Sequence, residues 1–355
     1  MNNKITVLHP SVTKIWGAVK MMIHLSSLLS KDNELVFFTN EFDDKLFKQK
    51  IDFDLSEVNF WNKYLSYLIM AYRIRKFDIV FIGNSPMHFV WVLSKILFFS
   101  KAKLIWWNHH YPWYYEKKHN SFFVTAKRIF EKLLIKNIDL IIANSDYIKE
   151  SLEGIFKINN IKILYPSLDD VFYKTDFIER DNKILNVFTY SRWVKWKNIK
   201  LIFESFDRLA KTYDFNLIIA WEWEELKYFE DKYRNFWNIE FLWNLNSLEI
   251  ISNLKRSDIF LFPSKIDSFG LVNLEAMFAW LPIVWFNIWW ASELVKDNEN
   301  GFLVKSENDF IDKLEILLKD EKLRKKFSKE SLRISNTNFK SSVFKEQLDE
   351  ILKVV

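Results

Sequence analysis

The chain has 355 residues, 49% of them hydrophobic, with 51 Lys and Arg against 46 Asp and Glu and no cysteine. That length is too great for one ordinary core and suits two domains. The net charge of +5 is too sparse for a nucleic-acid binder, and the lack of cysteine excludes disulfides and cysteine-based metal or redox sites.

The first residues, Met1 to Lys4, lead straight into an apolar strand pattern without a signal-peptide core, so the chain reads as cytoplasmic. Ile5–His9 reads as a strand, Ala18–Ser30 as a helix and Leu35–Thr39 as a strand. Then follow Ile79–Ile82 (strand), His88–Phe99 (helix), Leu104–Asn108 (strand), Val124–Lys136 (helix) and Leu140–Asn144 (strand). The greasiest run, Phe89 to Phe99, is interrupted by Lys95 and is too short to span a bilayer. Strands that are apolar throughout, separated by helices, predict a parallel sheet covered on both faces. The polar stretch from Pro166 to Asn182 reads as a linker. Beyond it the rhythm restarts with strands at Leu185–Tyr190, Phe215–Ala220, Ile239–Leu242, Ile259–Phe262 and Ile283–Trp285. Helices are expected at about 199–211, 224–235, 247–255 and 270–279.

The pattern predicts an α/β protein of two Rossmann-like, doubly wound domains, at 1–175 and 183–335. A C-terminal helix within 336–355 is expected to pack back on the first domain. Ligands of such sheets bind outside the carboxyl ends of the strands, which points to a site in a cleft between the domains.

One segment concentrates chemistry. Pro263 to Met277 reads PSKIDSFGLVNLEAM. A buried strand ends in Pro-Ser, a loop carries Asp267, and a helix starts near Gly270 with Glu275 inside it. The N–H groups of Phe269, Gly270 and Leu271 at a helix start suit a diphosphate. The carboxylates suit sugar hydroxyls as hydrogen-bond acceptors.

This segment resembles the E-x7-E signature of family 4 glycosyltransferases. It matches at Pro263, Ser264, Phe269, Gly270, Leu271, Glu275, Ala276 and Met277, and departs at Asp267, where the family usually has Glu. Ser191-Arg192 and Lys197-Asn198 resemble the family's R-x4-K pair. Phe241-Leu242 precedes the place of its F-L-G, and Asn300 to Val304 resembles its N-G-x-L-V block.

The resemblance implies the GT-B fold and a retaining hexosyltransferase. The donor is a nucleoside diphosphate sugar, with no metal and no further cofactor. The acceptor is a glycan or lipid-linked intermediate, in cell-surface polysaccharide synthesis. It implies that Glu275 binds the ribose and Asp267 the transferred sugar. Ser268 and the backbone of Phe269, Gly270 and Leu271 help hold the donor, Gly17 approaches its phosphates, and Arg192 and Lys197 stabilise the departing diphosphate. It places a His near the donor sugar, His109 first and His110 in reserve. A non-catalytic nucleotide-sugar binder and a nucleotide-sugar epimerase of the same fold are the alternatives. A mildly basic, aromatic chain is also compatible with a peripheral seat on the anionic inner membrane face. No nucleic-acid partner is expected.

The chain has only 5 Gly but 16 Trp, where an average chain of this length holds roughly 25 Gly. Trp16, Trp221, Trp223, Trp243, Trp280, Trp289 and Trp290 stand where the family has glycine, residues needed for positive φ or close backbone approach. One cause would explain the set: UGA codons that mean glycine in the source, translated as tryptophan. Genuine enrichment of Trp for stacking on sugars or membrane is the alternative. UGG codons at these positions would refute recoding.

Overall fold

A computed structural model describes residues 3–12, 17–43, 52–59, 62–83, 87–109, 129, 132–135, 137–173, 183–191, 197–221, 227–267 and 269–355. The chain divides into two compact units, one of Met1–Ser167 with Phe344–Val355, the other of Leu168–Val343.

The first unit runs β1 (Lys4–His9), α1 (Gly17–Leu29), β2 (Glu34–Thr39), β3 (Asp54–Glu57), α2 (Lys63–Ile74), β4 (Ile79–Ile82), α3 (Met87–Phe98), β5 (Lys103–Asn108), β6 (Leu140–Ala143), α4 (Asp146–Phe156) and β7 (Ile161–Ile163). Its seven strands lie in the order β3-β2-β1-β4-β5-β6-β7, and every pairing is parallel. The central strands are buried along almost their whole length, as a sheet covered on both faces requires. In this unit the sequence pattern misses β3, α2, α4 and β7. The β3 segment, Asp-Leu-Ser-Glu, sits at the sheet edge with every residue at least partly accessible, so it carries no apolar run.

The second unit opens with α5 (Asp170–Tyr173), a short helix inside the stretch expected to be linker. It continues β8 (Leu185–Tyr190), α6 (Ile199–Leu209), β9 (Phe215–Trp221), α7 (Lys227–Tyr233), β10 (Ile239–Trp243), α8 (Ser247–Arg256), β11 (Ile259–Phe262), α9 (Leu271–Phe278), β12 (Ile283–Phe286), α10 (Ala291–Leu294), β13 (Gly301–Val304), α11 (Glu307–Lys319) and α12 (Glu321–Asn338). Its parallel strands follow the order β10-β9-β8-β11-β12-β13. Counted within the unit this is 3-2-1-4-5-6, the doubly wound order, and the order reverses between β8 and β11.

The last helix, α13 (Ser341–Leu352), belongs to the first unit from Phe344 onward. Its Phe344 ring lies 5.6 Å from His24 and 5.7 Å from Trp107. Lys345 bridges Asp32 at 2.7 Å and Asp349 at 2.8 Å.

Candidate functional site

In a doubly wound sheet, the loops after the two central strands diverge to opposite faces and leave a crevice at the strand ends. In the second unit these strands are β8 and β11, paired at Ile259↔Val187 and Phe260↔Phe188. The chain leaving β8 carries Lys197, and the chain leaving β11 carries Asp267. The two side chains form an ion pair across that point, Lys197 Nζ to Asp267 Oδ2, and both are largely shielded from solvent. Lys197 Nζ also lies 4.6 Å from the centre of the Phe262 ring at the end of β11.

The other oxygen of Asp267 is engaged too. Its Oδ1 accepts from the backbone N–H of Gly270 at 3.0 Å and of Phe269 at 3.3 Å. The carboxylate thus closes the turn just ahead of α9, near the end of the helix where the dipole favours negative charge. The Phe269 and Gly270 N–H groups, expected to help hold a donor, here donate to Asp267.

Gly270 has φ +81°, and a Cβ there would stand 2.8 Å from the Trp285 ring. The tight approach and the left-handed backbone both demand glycine. The Trp285 indole in turn donates from Nε1 to the Ser264 carbonyl at 3.1 Å, tying β12 to the loop. Ser264 Oγ donates to the Ile266 carbonyl at 2.7 Å and closes the turn that presents Asp267.

Glu275, one helical turn further along α9, is only 4% exposed. Asn273, in the first turn of α9, is fully buried, and neither its amide nitrogen nor its amide oxygen has a hydrogen-bond partner among the described residues. A flanking ion pair joins Lys265 to Glu307 at 2.8 Å, and Asn198 donates to the same carboxylate at 3.2 Å. The hydrogen bond from Lys265 holds the Glu307 carboxyl below its ordinary value. Among the described residues, no three His, Asp or Glu side chains converge as a metal site.

In the first unit, His109 lies just beyond β5 and is 3% exposed. Its ring packs on Trp107 with centroids 4.4 Å apart. Its Cδ2 would lie 3.4 Å from a Cβ placed on Gly83, which follows β4. Gly17 opens α1 and is exposed.

Two family descriptions divide this chain between them. Glycosyltransferase Family 4 matches residues 16–171, and Glycosyl transferases group 1 matches residues 174–333. The chain belongs to these glycosyltransferases. It is 24% identical over 256 residues to a 41.2 kDa protein in the cps region of Klebsiella pneumoniae, covering 68% of this chain and 69% of that one. It is 30% identical over 104 residues to the capsular polysaccharide biosynthesis glycosyltransferase CapM of Staphylococcus aureus, covering 28% and 27% of the two chains. HepE of Anabaena, solved in complex with UDP-glucose, superposes with a TM-score of 0.82 over the whole of both chains at 16% identity. The fold is therefore GT-B.

Of the site residues read from this glycosyltransferase's sequence, the structure brings Lys197, Asp267, Phe269 and Gly270 together. Leu271 and Glu275 follow in the same helix. Gly17 and His109 stand in the other unit. His110, Arg192, Ser268, Trp16 and Trp223 lie outside the described residues, as does the side chain of Trp221. Sequence reading missed Phe262, Asn273, Trp285 and the Lys265–Glu307–Asn198 group. The first three looked like ordinary apolar or helical positions. Glu307 lies 109 residues from Asn198, with no local pattern to link them.

The substituted glycine positions divide. Trp280 has φ +64°. It follows the end of α9, where its N–H donates to Met277 O at 3.0 Å and the Leu281 N–H donates to Ala276 O at 3.0 Å. That pair of bonds is the Schellman ending, whose left-handed residue is usually glycine. Trp243, Trp289 and Trp290 differ. None has positive φ, Trp289 is exposed and Trp290 is buried. Backbone conformation therefore does not call for glycine at those three.

Proposed function

We propose that this glycosyltransferase moves a hexose from a nucleoside diphosphate sugar, with UDP as the first base to test, to a glycan or lipid-linked acceptor. The anomeric configuration is retained. The observation that carries the reading is the Lys197–Asp267 pair at the strand-order reversal, with buried Glu275 in the helix that follows. It puts one cation and two carboxylates where a doubly wound sheet takes its ligand.

In this reading the donor-free site neutralises itself. Donor binding exchanges the pairing: Lys197 turns to the diphosphate, and Asp267 turns from Lys197 and the Phe269 and Gly270 N–H groups to sugar hydroxyls. Glu275 takes the ribose hydroxyls. Arg192, Ser268 and the Leu271 N–H are assigned to the donor on the resemblance alone, as are Gly17, His109 and His110. In the reaction the bond from the anomeric carbon to the β-phosphate oxygen breaks, and a bond from that carbon to the acceptor oxygen forms on the same face. The acceptor proton passes to the departing phosphate. Lys197 counters the negative charge that builds there. No metal is assigned a part. HepE's complex with UDP-glucose favours a UDP donor, and the Klebsiella and Staphylococcus relatives favour an acceptor in capsule synthesis.

Tryptophan for glycine by UGA recoding belongs to the same proposal. The left-handed backbone of Trp280 supports it; at Trp16, Trp221, Trp223, Trp243, Trp289 and Trp290 the support is the family pattern. Sequencing the codons tests it directly, with UGG as the refuting result.

The deciding experiment is a screen of UDP-, GDP- and ADP-hexoses by calorimetry and by donor turnover, with the anomer of the product read by NMR. Binding with turnover and a retained anomer is expected. Binding without turnover in glycine-restored protein would favour a non-catalytic nucleotide-sugar binder, and release of an epimerised sugar would favour the epimerase.

A further inference from the structure

The first unit carries more apolar surface than its core uses. On α2, Tyr64, Leu68 and Tyr72 recur every four residues and all are exposed, with Leu65 beside them. On α3, Phe89, Ile96 and Leu97 form a second exposed stripe, and Phe99, just past the helix end, is 84% exposed. Side chains at such spacings share a helix face. The opposite faces are already satisfied: Met70, Ala71 and Ile74 of α2 and Met87, Val90 and Trp91 of α3 lie in one buried cluster. The helices pack on each other, and the Tyr72 and Phe98 rings meet edge-on at 5.4 Å, so the stripes join at the two C-terminal ends.

The same segment holds the chain's positive charge. Val58 to Lys103 contains seven Lys and Arg and a single acid, Asp78, leaving 44 basic against 45 acidic residues in the rest of the chain. The cations sit among the aromatic rings. Arg75 lies 3.6 Å from the Tyr72 ring centre, Lys63 lies 5.3 Å from that of Tyr64, and Lys95 lies 5.4 Å from that of Trp91. Of the seven, Lys103 pairs with Asp139 at 3.2 Å, and Arg73 donates to Ser56 at 3.2 Å. An apolar centre with a cationic rim is the composition that enters the acyl boundary of a bilayer while its cations meet headgroup phosphates.

We infer that α2, α3 and Phe99 form a docking face for a bilayer surface rich in anionic lipid. Among the described residues no helix is long and apolar enough to cross a membrane, so this attachment lies along the surface. The face holds none of the tryptophans that stand for glycine and none of the donor-site residues. It goes beyond the donor chemistry and does not depend on it.

Co-sedimentation of the full chain, without donor, with vesicles of phosphatidylcholine alone or carrying about one-third phosphatidylglycerol tests the inference. Preference for the anionic vesicles by about tenfold or more is expected, fading as salt approaches roughly 0.5 M. The combined variant Ile96→Ser, Leu97→Ser, Phe99→Ser should lose vesicle binding and keep the parent's thermal midpoint. Lys95→Glu with Lys101→Glu should lose the preference for anionic lipid, and it decides the matter if the serine variant does not fold. Equal or absent sedimentation with both vesicles, or an unchanged serine variant, overturns the inference. So does a parent dimer that the serine variant turns into a monomer without vesicle binding, since the face would then belong to a second copy of the chain. Donor calorimetry on the same variants should match the parent, so failure here leaves the donor reading untouched, and the reverse.

Discussion

At the scale of single residues, the Lys197–Asp267 cluster rests on mutual satisfaction of charge. Lys197 is nearly buried and its named counter-charge is Asp267. Removing one member of such a pair strands the other in a poorly solvated place, which typically costs about 3–5 kcal/mol. Asp267→Ala is therefore expected to lower stability measurably in urea unfolding, besides its effect on turnover. Asp267→Asn, which keeps an acceptor for the Phe269 and Gly270 N–H groups, should cost less. A second residue-level prediction concerns Trp280. An L-residue in left-handed backbone costs roughly 1–2 kcal/mol relative to glycine. Trp280→Gly should raise the melting midpoint of the second unit by about 2–4 °C per kcal/mol gained, read by calorimetry. An unchanged or lower midpoint would remove the conformational support for glycine there. Residues of the Lys197–Asp267 cluster were legible to different degrees. Asp267 could be found because its neighbours match a motif, while the burial of Asn273 in the next helix turn had no signature, since an Asn on a helix is more often exposed.

At the scale of elements, the two sheets behave as their apolar runs foretold. Most strands buried on both faces were visible, because a strand covered on both sides must be apolar throughout; the short β13, opened by Gly301, was not read as a strand. The edge strand β3 was not visible, because half of an edge strand faces water. Glycine marks another element-level constraint. A Cβ on Gly301, in β13, would stand 2.3 Å from the Ile283 carbonyl oxygen of β12, whereas one on Gly154 of α4 meets nothing within 4 Å. Gly301→Ala should therefore destabilise by about 1–3 kcal/mol through forced overpacking. Gly154→Ala should stabilise by about 0.5–1 kcal/mol through helix propensity. Chemical denaturation of the pair reads both signs.

The terminal helix α13 is held differently, by charge at its first turns. The hydrogen bond from Lys345 keeps the Asp32 carboxyl below its ordinary value. Burial pulls the Lys345 ammonium down, but its hydrogen bonds to Asp32 and Asp349 outweigh this and raise it. A depressed carboxylate contributes stability above its unfolded value and loses it as pH falls through the folded one. A raised ammonium contributes below its unfolded value and loses it as pH rises through the folded one. Amide protection of α13 in hydrogen exchange should accordingly hold across neutral pH, and weaken in acid as Asp32 protonates. Lys345→Ala should lower the neutral plateau and remove the acid dependence due to Asp32.

At the scale of the whole molecule, two doubly wound units account for nearly all of the 355 residues. Lys197, Asp267, Gly270 and Glu275, the residues proposed to take the donor, all fall in the second. A nucleotide that binds the folded unit and not the unfolded chain stabilises it by about 2.7 kcal/mol at a hundred times its dissociation constant. UDP should thus slow hydrogen exchange in β8, β11 and α9 more than in β1, β4 and α1. Equal protection of both sheets, or none, would weigh against the donor assignment. The first unit contributes the basic apolar face on α2 and α3, a feature that overall composition hides because a net charge of +5 does not show that the excess lies in one segment, the rest of the chain being close to neutral.

By itself, the sequence determined the fold class, the tandem arrangement and the block around Asp267 and Glu275. Each is written in local order: apolar runs of strand length, helical periods between them, and a motif within fifteen consecutive residues. Only the tertiary structure decided that Lys197 pairs with Asp267, seventy positions away, because that meeting depends on which strands become neighbours at the reversal of order. It alone decided that Asp267 accepts from the Phe269 and Gly270 N–H groups ahead of α9, that Trp280 sits in left-handed backbone while Trp243, Trp289 and Trp290 do not, and that surplus apolar side chains gather on one cationic face. Those outcomes follow from packing and backbone geometry, in which residues far apart in the chain share one low-energy arrangement that no local pattern encodes.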